Sequence, residues 1–350
     1  MTKGDLSIAQ WTKKFGALHK PANERRRPEE FWIAITAHSS ALGECVRRSS
    51  YRELFARAAH LFCWLCSYVQ KCNEPASGVF HLQASFSEWV AFKYPGVCGH
   101  CMLDRCACDA PMIDATKDKA AAYKELLDLW NRPCEHGRRK PWSDYSLNDW
   151  IETLRMIYSG RIHLQPAETI GFHLLEEVGE GAEAVRQLVQ VRSVADQDPR
   201  VLHALPESLQ ARTSSLPNLV QEYDENCRIL LPHARTSRGH LHVYDTTSRD
   251  PLIVRARFVY AKMSQVIELA DTFSWLCALV IKIADVVKAL DLGDTMEQAF
   301  DLEAVVRREY SYEGPEQPLK CYACNLQECR CWLLPMAQRD TPSGDENAQG

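Results

Sequence analysis

Residues 259–287 constrain the fold of this chain more than any other stretch. Val266, Ile267, Ala270, Phe273, Leu276, Leu279, Val280 and Ile283 place apolar groups on nearly every side of a helix, and a helix that is apolar all round belongs inside the protein. Two acids, Glu268 and Asp271, interrupt this run, flanked by Trp275 and Leu279. At about 100° per residue they project within about 60° of each other. Ionised carboxylates in such surroundings are costly unless a metal or several donors compensate them. The pair therefore predicts a buried, compensated acidic site.

A second acidic stretch, Glu176-Glu177-Val178-Gly179-Glu180, also reads as helix. Glu177 and Glu180 are three apart, as are Glu268 and Asp271, and that spacing shares a helix face. Leu174, Leu175, Val178, Ala182, Val185 and Val189 form the apolar stripe here. The acids lie off it, so Glu176, Glu177, Glu180 and Glu183 alone would read as a solvated face. Two such helices packed antiparallel bring four carboxylates to one point, and oxygen ligands of that kind suit a hard divalent cation.

In combination, EExxE on one helix and ExxD on the next resemble the MazG-type, all-α nucleoside triphosphate pyrophosphohydrolases. The resemblance continues through Leu290-Asp291-Leu292-Gly293-Asp294-Thr295-Met296-Glu297-Gln298-Ala299-Phe300 and the basic stretch Arg307-Arg308-Glu309-Tyr310. It covers roughly 149–190 and 252–312. The chain departs from the pattern by placing 87 residues, 181–267, between Glu180 and Glu268, where the family has a short connection. The resemblance implies a Mg2+ (or Mn2+) ion held by Glu177, Glu180, Glu268 and Asp271, with Glu176 orienting or deprotonating the attacking water. Arg307 and Arg308, in the family's basic segment, are implied substrate-binding groups for the phosphates, and Lys282, on the same helix stripe as Asp271 and three turns on, is placed by its spacing to reach the distal phosphates. The implied reaction converts a (d)NTP and water to a (d)NMP and pyrophosphate.

The chain also repeats itself. Trp11 and Trp150 sit in similar contexts 139 positions apart (150 minus 11), and Glu44-Cys45-Val46-Arg47 parallels Glu183-Ala184-Val185-Arg186 at the same spacing (183 minus 44). Phe62-Cys63-Trp64-Leu65-Cys66 parallels Phe273-Ser274-Trp275-Leu276-Cys277 at 211 (275 minus 64), as expected if only the second copy holds an insertion. These spacings imply a tandem duplication. They set Ala37, His38 and Ala41 where the second copy has Glu176, Glu177 and Glu180, and Arg57 and His60 opposite Glu268 and Asp271. A half without carboxylates offers a hard cation no suitable ligands, so the first half reads as catalytically silent. The family works as dimers or higher oligomers. The resemblance thus implies an all-α fold of two tandem helical-bundle halves forming an intramolecular pseudo-dimer, with further oligomerisation compatible.

Both halves end in the pattern CxxCxxxxCxC, as Cys98, Cys101, Cys106, Cys108 and as Cys321, Cys324, Cys329, Cys331. Four thiolates in so short a loop suit a tetrahedral structural Zn2+ with no open position, giving two zinc staples; an iron–sulfur cluster or redox thiols are the alternatives. Cys63 and Cys66 share the CxxC spacing but lie in an apolar helix, where a core role is expected.

These features divide the chain into a silent half with its cysteine cluster (1–112), a connecting helix and linker (113–143), and an active half (144–335). The active half carries a polar, irregular insertion (193–251), and a disordered tail (336–350) follows it. A hydrophobic content of 46% supports a sizeable core, and the net charge of −5 argues against general nucleic-acid binding. No apolar N-terminal segment or uncharged 18-residue run is present, and fifteen cysteines then suggest thiols and metal ligands in a cytoplasmic, membrane-free protein. Beside the hydrolase stand a zinc-stapled nucleotide-binding sensor without turnover and, more weakly, a di-iron or di-manganese oxidase, which uses ExxH pairs absent around these acids.

Overall fold

The computed structural model describes residues 6–108, 119–132, 140–198, 205, 207–230, 234–237, 240–243, 248–289, 301–314 and 316–331. The segment 290–300 and the tail from 336 lie outside them. The architecture is helical, with one small hairpin. In chain order the helices are α1 (Ile8–Leu18), α2 (Pro28–Arg47), α3 (Tyr51–Cys72), α4 (Phe86–Lys93), α5 (Lys119–Asn131), α6 (Leu147–Leu164), α7 (Ala167–Gln197), α8 (Glu207–Arg212), α9 (Leu216–Leu230), α10 (Pro251–Ala289) and α11 (Leu302–Glu309).

Local chemistry sets the starts of these helices. Ser7 opens α1 with a reciprocal cap, its hydroxyl accepting from the Gln10 amide at 3.2 Å while its own amide donates to the Gln10 side chain at 2.8 Å. Ser146 and Asp149 do the same for α6. Such boxes satisfy amides that a helix leaves unpaired at its start. Pro28 occupies the first turn of α2, where its missing N–H costs nothing.

The axis of the molecule is α10, 39 residues long and so about 58 Å from end to end. As its all-round apolar sequence predicts, it is enclosed: α7, α9, α6, α4 and α3 pack against it. At its centre Phe273 meets Phe86 and Phe62, with ring centroids 5.2 and 6.2 Å away. Leu6, Trp11, Phe15 and Leu18 form the inner face of the N-terminal region as expected. No described helix is long and apolar enough to cross a membrane.

The stretch 193–251 differs from the expectation of irregular structure. Helix α7 runs on to Gln197, α8 and α9 follow, and Ala234–Ser237 pairs antiparallel with His240–Val243. Leu216, Leu219, Val220 and Tyr223 bury one face of α9, which packs along α10. That i, i+3, i+4, i+7 spacing is the mark of an amphipathic helix; its charged outer face gave the segment its polar average. Glu222 fixes the helix to its surroundings, 3.1 Å from Arg212 and 2.9 Å from Arg255.

Several long-range contacts come in matching pairs. Ser7 and Ser146 form an antiparallel bridge, and the Ile8 amide donates to the Tyr145 carbonyl at 2.9 Å. Helix α4 packs on α10, while α11 packs on α3. The Cys106 amide donates to Ile157 of α6 at 2.7 Å, and the Cys329 amide to Leu18 of α1 at 2.9 Å.

Helices α2 and α7 approach closely at Gly181. The Trp32 indole donates to the Val178 carbonyl at 3.0 Å, and a Cβ at Gly181 would fall 2.1 Å from the Trp32 ring. Two positions earlier, a Cβ at Gly179 meets nothing within 4 Å. In urea unfolding, Gly181→Ala is expected to destabilise by about 1–3 kcal/mol through overpacking. Gly179→Ala is expected to stabilise by up to about 1 kcal/mol through helix propensity.

Candidate metal centre

The acidic motifs meet because α7 and α10 pack side by side. One ligand oxygen from each of Glu177, Glu180 and Glu268 lies within 4.8 Å of the others. Helix α10 brings Glu268 from the buried interior, while Glu177 and Glu180 come from the half-buried face of α7. The Trp275 indole N–H donates to Glu177 Oε1 at 3.2 Å. His173 stacks on Trp275, with centroids 4.4 Å apart, and its Nδ1 lies 3.4 Å from Glu176 Oε2. Glu176 thus occupies the exposed rim of the same group.

Asp271 is held differently from the other three. Tyr94 donates its hydroxyl proton to Asp271 Oδ1, and Lys93 Nζ lies 3.5 Å from Oδ2. Both residues come from the end of α4, and both are buried. The sequence reading missed them. A lysine at the end of the apolar run Phe86-Ser87-Glu88-Trp89-Val90-Ala91-Phe92 raises the same question as an acid in an apolar helix: what compensates its charge?

The electrostatics answer it. Burial raises the Glu177 carboxyl to about 10, assisted by Asp271, Glu268 and Glu180. Burial by itself would lower the Lys93 ammonium, yet Asp271, Glu268 and Glu177 outweigh it and hold the group above its ordinary value. Crowded, water-poor carboxylates of this kind favour either protons or cations. Glu177, Glu180 and Glu268 could hold a metal ion.

The other expected cations have other partners. Lys282 Nζ donates to the His163 carbonyl at 3.0 Å and lies eleven residues beyond Asp271, about 16 Å along the helix. Arg307 pairs with Glu303 at 2.8 Å and caps the Tyr312 ring, and Arg308 lies 3.4 Å from Glu309. These two belong to α11, on α3.

The positions projected from the acids in the first half form a different group. His60 is buried, stacked on Tyr322 with centroids 3.7 Å apart, and its Nε2 lies 3.3 Å from Glu309. His38 sits between His60 and Trp64, its pKa lowered to about 4 by burial and by neighbouring His60 and Arg57. Arg57 pairs with Glu53 at 3.2 Å.

Each cysteine set does converge. The four sulfurs of Cys98, Cys101, Cys106 and Cys108 lie within 4.8 Å of one another, as do those of Cys321, Cys324, Cys329 and Cys331. Cys98 and Cys108 are 3.8 Å apart, and Cys321 and Cys331 3.6 Å; four sulfurs at about 2.3 Å from a tetrahedral ion stand about 3.8 Å apart. The two turns share a backbone. Cys98 accepts from the Met102 amide and donates to Leu103, and Cys321 accepts from Asn325 and donates to Leu326. Met102 and Asn325 both have left-handed φ, 57° and 54°. Both sets could hold a structural metal ion. Cys63 and Cys66, by contrast, are core residues.

Comparison with family models, with curated proteins and with solved structures finds no match.

Glu177 yields a pH-dependent expectation. Its folded pKa is raised from 4.5 to about 10, so its contribution to stability is complete below pH 4.5 and is lost as pH climbs towards 10. Above neutral pH, Glu177→Gln is expected to raise the Tm of metal-free protein by about 2 °C or more and to abolish stabilisation by added Mg2+. A Tm that is lower at every pH would show that Glu177 has a structural partner instead.

Proposed function

We propose that the protein is a Mg-dependent nucleoside triphosphate pyrophosphohydrolase that converts a (d)NTP to a (d)NMP and pyrophosphate. The observation that carries this reading is the convergence of Glu177 and Glu180 on one helix with Glu268 on another, although 87 residues of sequence lie between Glu180 and Glu268. Glu177, Glu180 and Glu268 are the groups that would hold the ion, with Asp271 adjoining them. When bound, Mg2+ would screen phosphate charge and activate water. Glu176, on the rim and partnered by His173, is placed to orient that water or to take its proton. Trp275 fixes Glu177 through its indole N–H, and Lys93 brings positive charge to a site whose substrate is an anion.

The duplication and the pseudo-dimer belong to this reading. Ser7 and Ser146, which pair with each other, are 139 positions apart, as are Leu18 and Ile157, which accept the corresponding bonds from the two cysteine loops. A pseudo-twofold arrangement accounts for that reciprocity. The first half, with His38 and His60 in place of acids, then acts as a silent partner subunit. The matching cysteine turns read as two structural Zn2+ sites.

One observation favours a second reading, nucleotide binding or sensing without turnover: both oxygens of Asp271 are already engaged, one by Lys93 and one by Tyr94. Incubation with Mg2+ and a panel of NTPs and dNTPs distinguishes the two. Pyrophosphate release that Glu180→Gln and Asp271→Asn abolish and His38→Ala spares supports the hydrolase. Nucleotide-dependent stabilisation without pyrophosphate would establish the sensor. For the cysteine turns, elemental analysis is expected to give about two zinc ions per chain; iron with visible absorbance contradicts that.

A further inference from the structure

We infer that the first cysteine cluster, besides stapling its loop, positions the acid site: the Cys98–Cys108 turn clamps Lys93 and Tyr94 in place against Asp271. This rests on the reading of the acids as a divalent-cation site.

Three contacts make the clamp. The backbone of Gly99, between the first two cysteines, lies directly on Lys93. A Cβ at that position would stand 2.6 Å from the Lys93 carbonyl oxygen and 2.9 Å from its Cε, closer than real Cβ contacts come. A side chain at 99 must therefore displace the lysine. Second, Cys98 Sγ lies 3.9 Å from the Tyr158 hydroxyl, and the Tyr158 ring packs edge-on against Tyr94, with centroids 6.1 Å apart. Tyr94 is the residue that donates to Asp271. Third, the Cys106 amide bonds Ile157, the residue before Tyr158, so both ends of the turn are fixed to one place on α6.

Besides two backbone bonds between Cys98 and Met102–Leu103, apolar packing of this turn is sparse among the described residues. Leu103 within it is largely exposed, and Cys101, Cys106 and Cys108 are only half-buried. Four sulfur ligands on one ion would supply the rigidity that packing does not. The ammonium it positions sits 3.5 Å from Asp271 and competes with a divalent cation for the same acidic cluster, while remaining available to a phosphate. The second turn has no such role. Its Tyr322, at the position of Gly99, stacks instead on His60, far along the chain from the acids.

The test is Mn2+ binding to the zinc-loaded full chain, followed by the electron paramagnetic resonance of free Mn2+. Gly99→Val leaves all eight cluster thiols intact and is expected to tighten Mn2+ binding about fivefold by displacing the ammonium, while zinc content stays constant. Lys93→Met should tighten it equally. The double variant should add nothing to either single change, since both act through one group. Gly99→Ala, a smaller intrusion, provides the same reading if the valine variant folds poorly. Cys324→Ser in the second turn should leave Mn2+ affinity unchanged. Unchanged affinity in both Gly99 variants beside a change in Lys93→Met overturns the clamp, as does an equal shift from Cys324→Ser. A wild-type chain that binds no Mn2+ removes the cation site itself, and the clamp with it.

Discussion

Carboxylates buried on a helix with no polar face set the terms for the rest of this structure. Apolar burial fixes α10 at the centre, and that burial places Glu268 and Asp271 where water cannot solvate them, at 5% and 6% exposure. The molecule responds with charge brought from elsewhere. Lys93 and Tyr94 reach Asp271 from α4, and Trp275 donates to Glu177 from one turn further along α10. An ion pair of this kind is weak evidence for stability, because desolvation offsets most of the attraction.

The two ends of the helical core have the same form and opposite chemistry. In one, Asp271 of α10 meets Lys93 and Tyr94; in the other, His60 of α3 meets Glu309 and Tyr310. On the duplication reading these residues correspond, and the acid and the base have exchanged places between the copies. An ancestral pairing of a central helix with the end of the other copy's last helix would produce both. The two cysteine turns are bonded in a matching way, the first to α6 and the second to α1.

That asymmetry also separates two kinds of histidine. His173, stacked on Trp275 beside Glu176, joins the acidic group at its rim. His38, stacked near Trp64 and His60, is pushed towards the neutral form by burial and by its basic neighbours. A histidine stacked on a tryptophan is common to both places, and the charged groups around it differ.

The sequence by itself determined the helices, their inner faces and the acids in their pairs. Those features are periodic: Trp11 and Phe15, or Glu177 and Glu180, are neighbours within one helix, and the spacing alone puts them on one face. The cysteine turns were legible for the same reason, since a CxxC and a CxC close over a few residues. Even the amphipathic face of α9 was present in the spacing of Leu216 to Tyr223, though its polar outer side concealed it. Only the tertiary structure decided which charges meet. Tyr94 and Asp271 are 177 positions apart, and nothing periodic relates them; their contact depends on how α4 crosses α10. The same crossing engages Asp271 with Lys93 as well. The packing of α11 on α3 likewise took Arg307 and Arg308 to the other end. A charge buried by its own helix reveals that it needs a partner, and only the packing of distant helices determines which partner it finds.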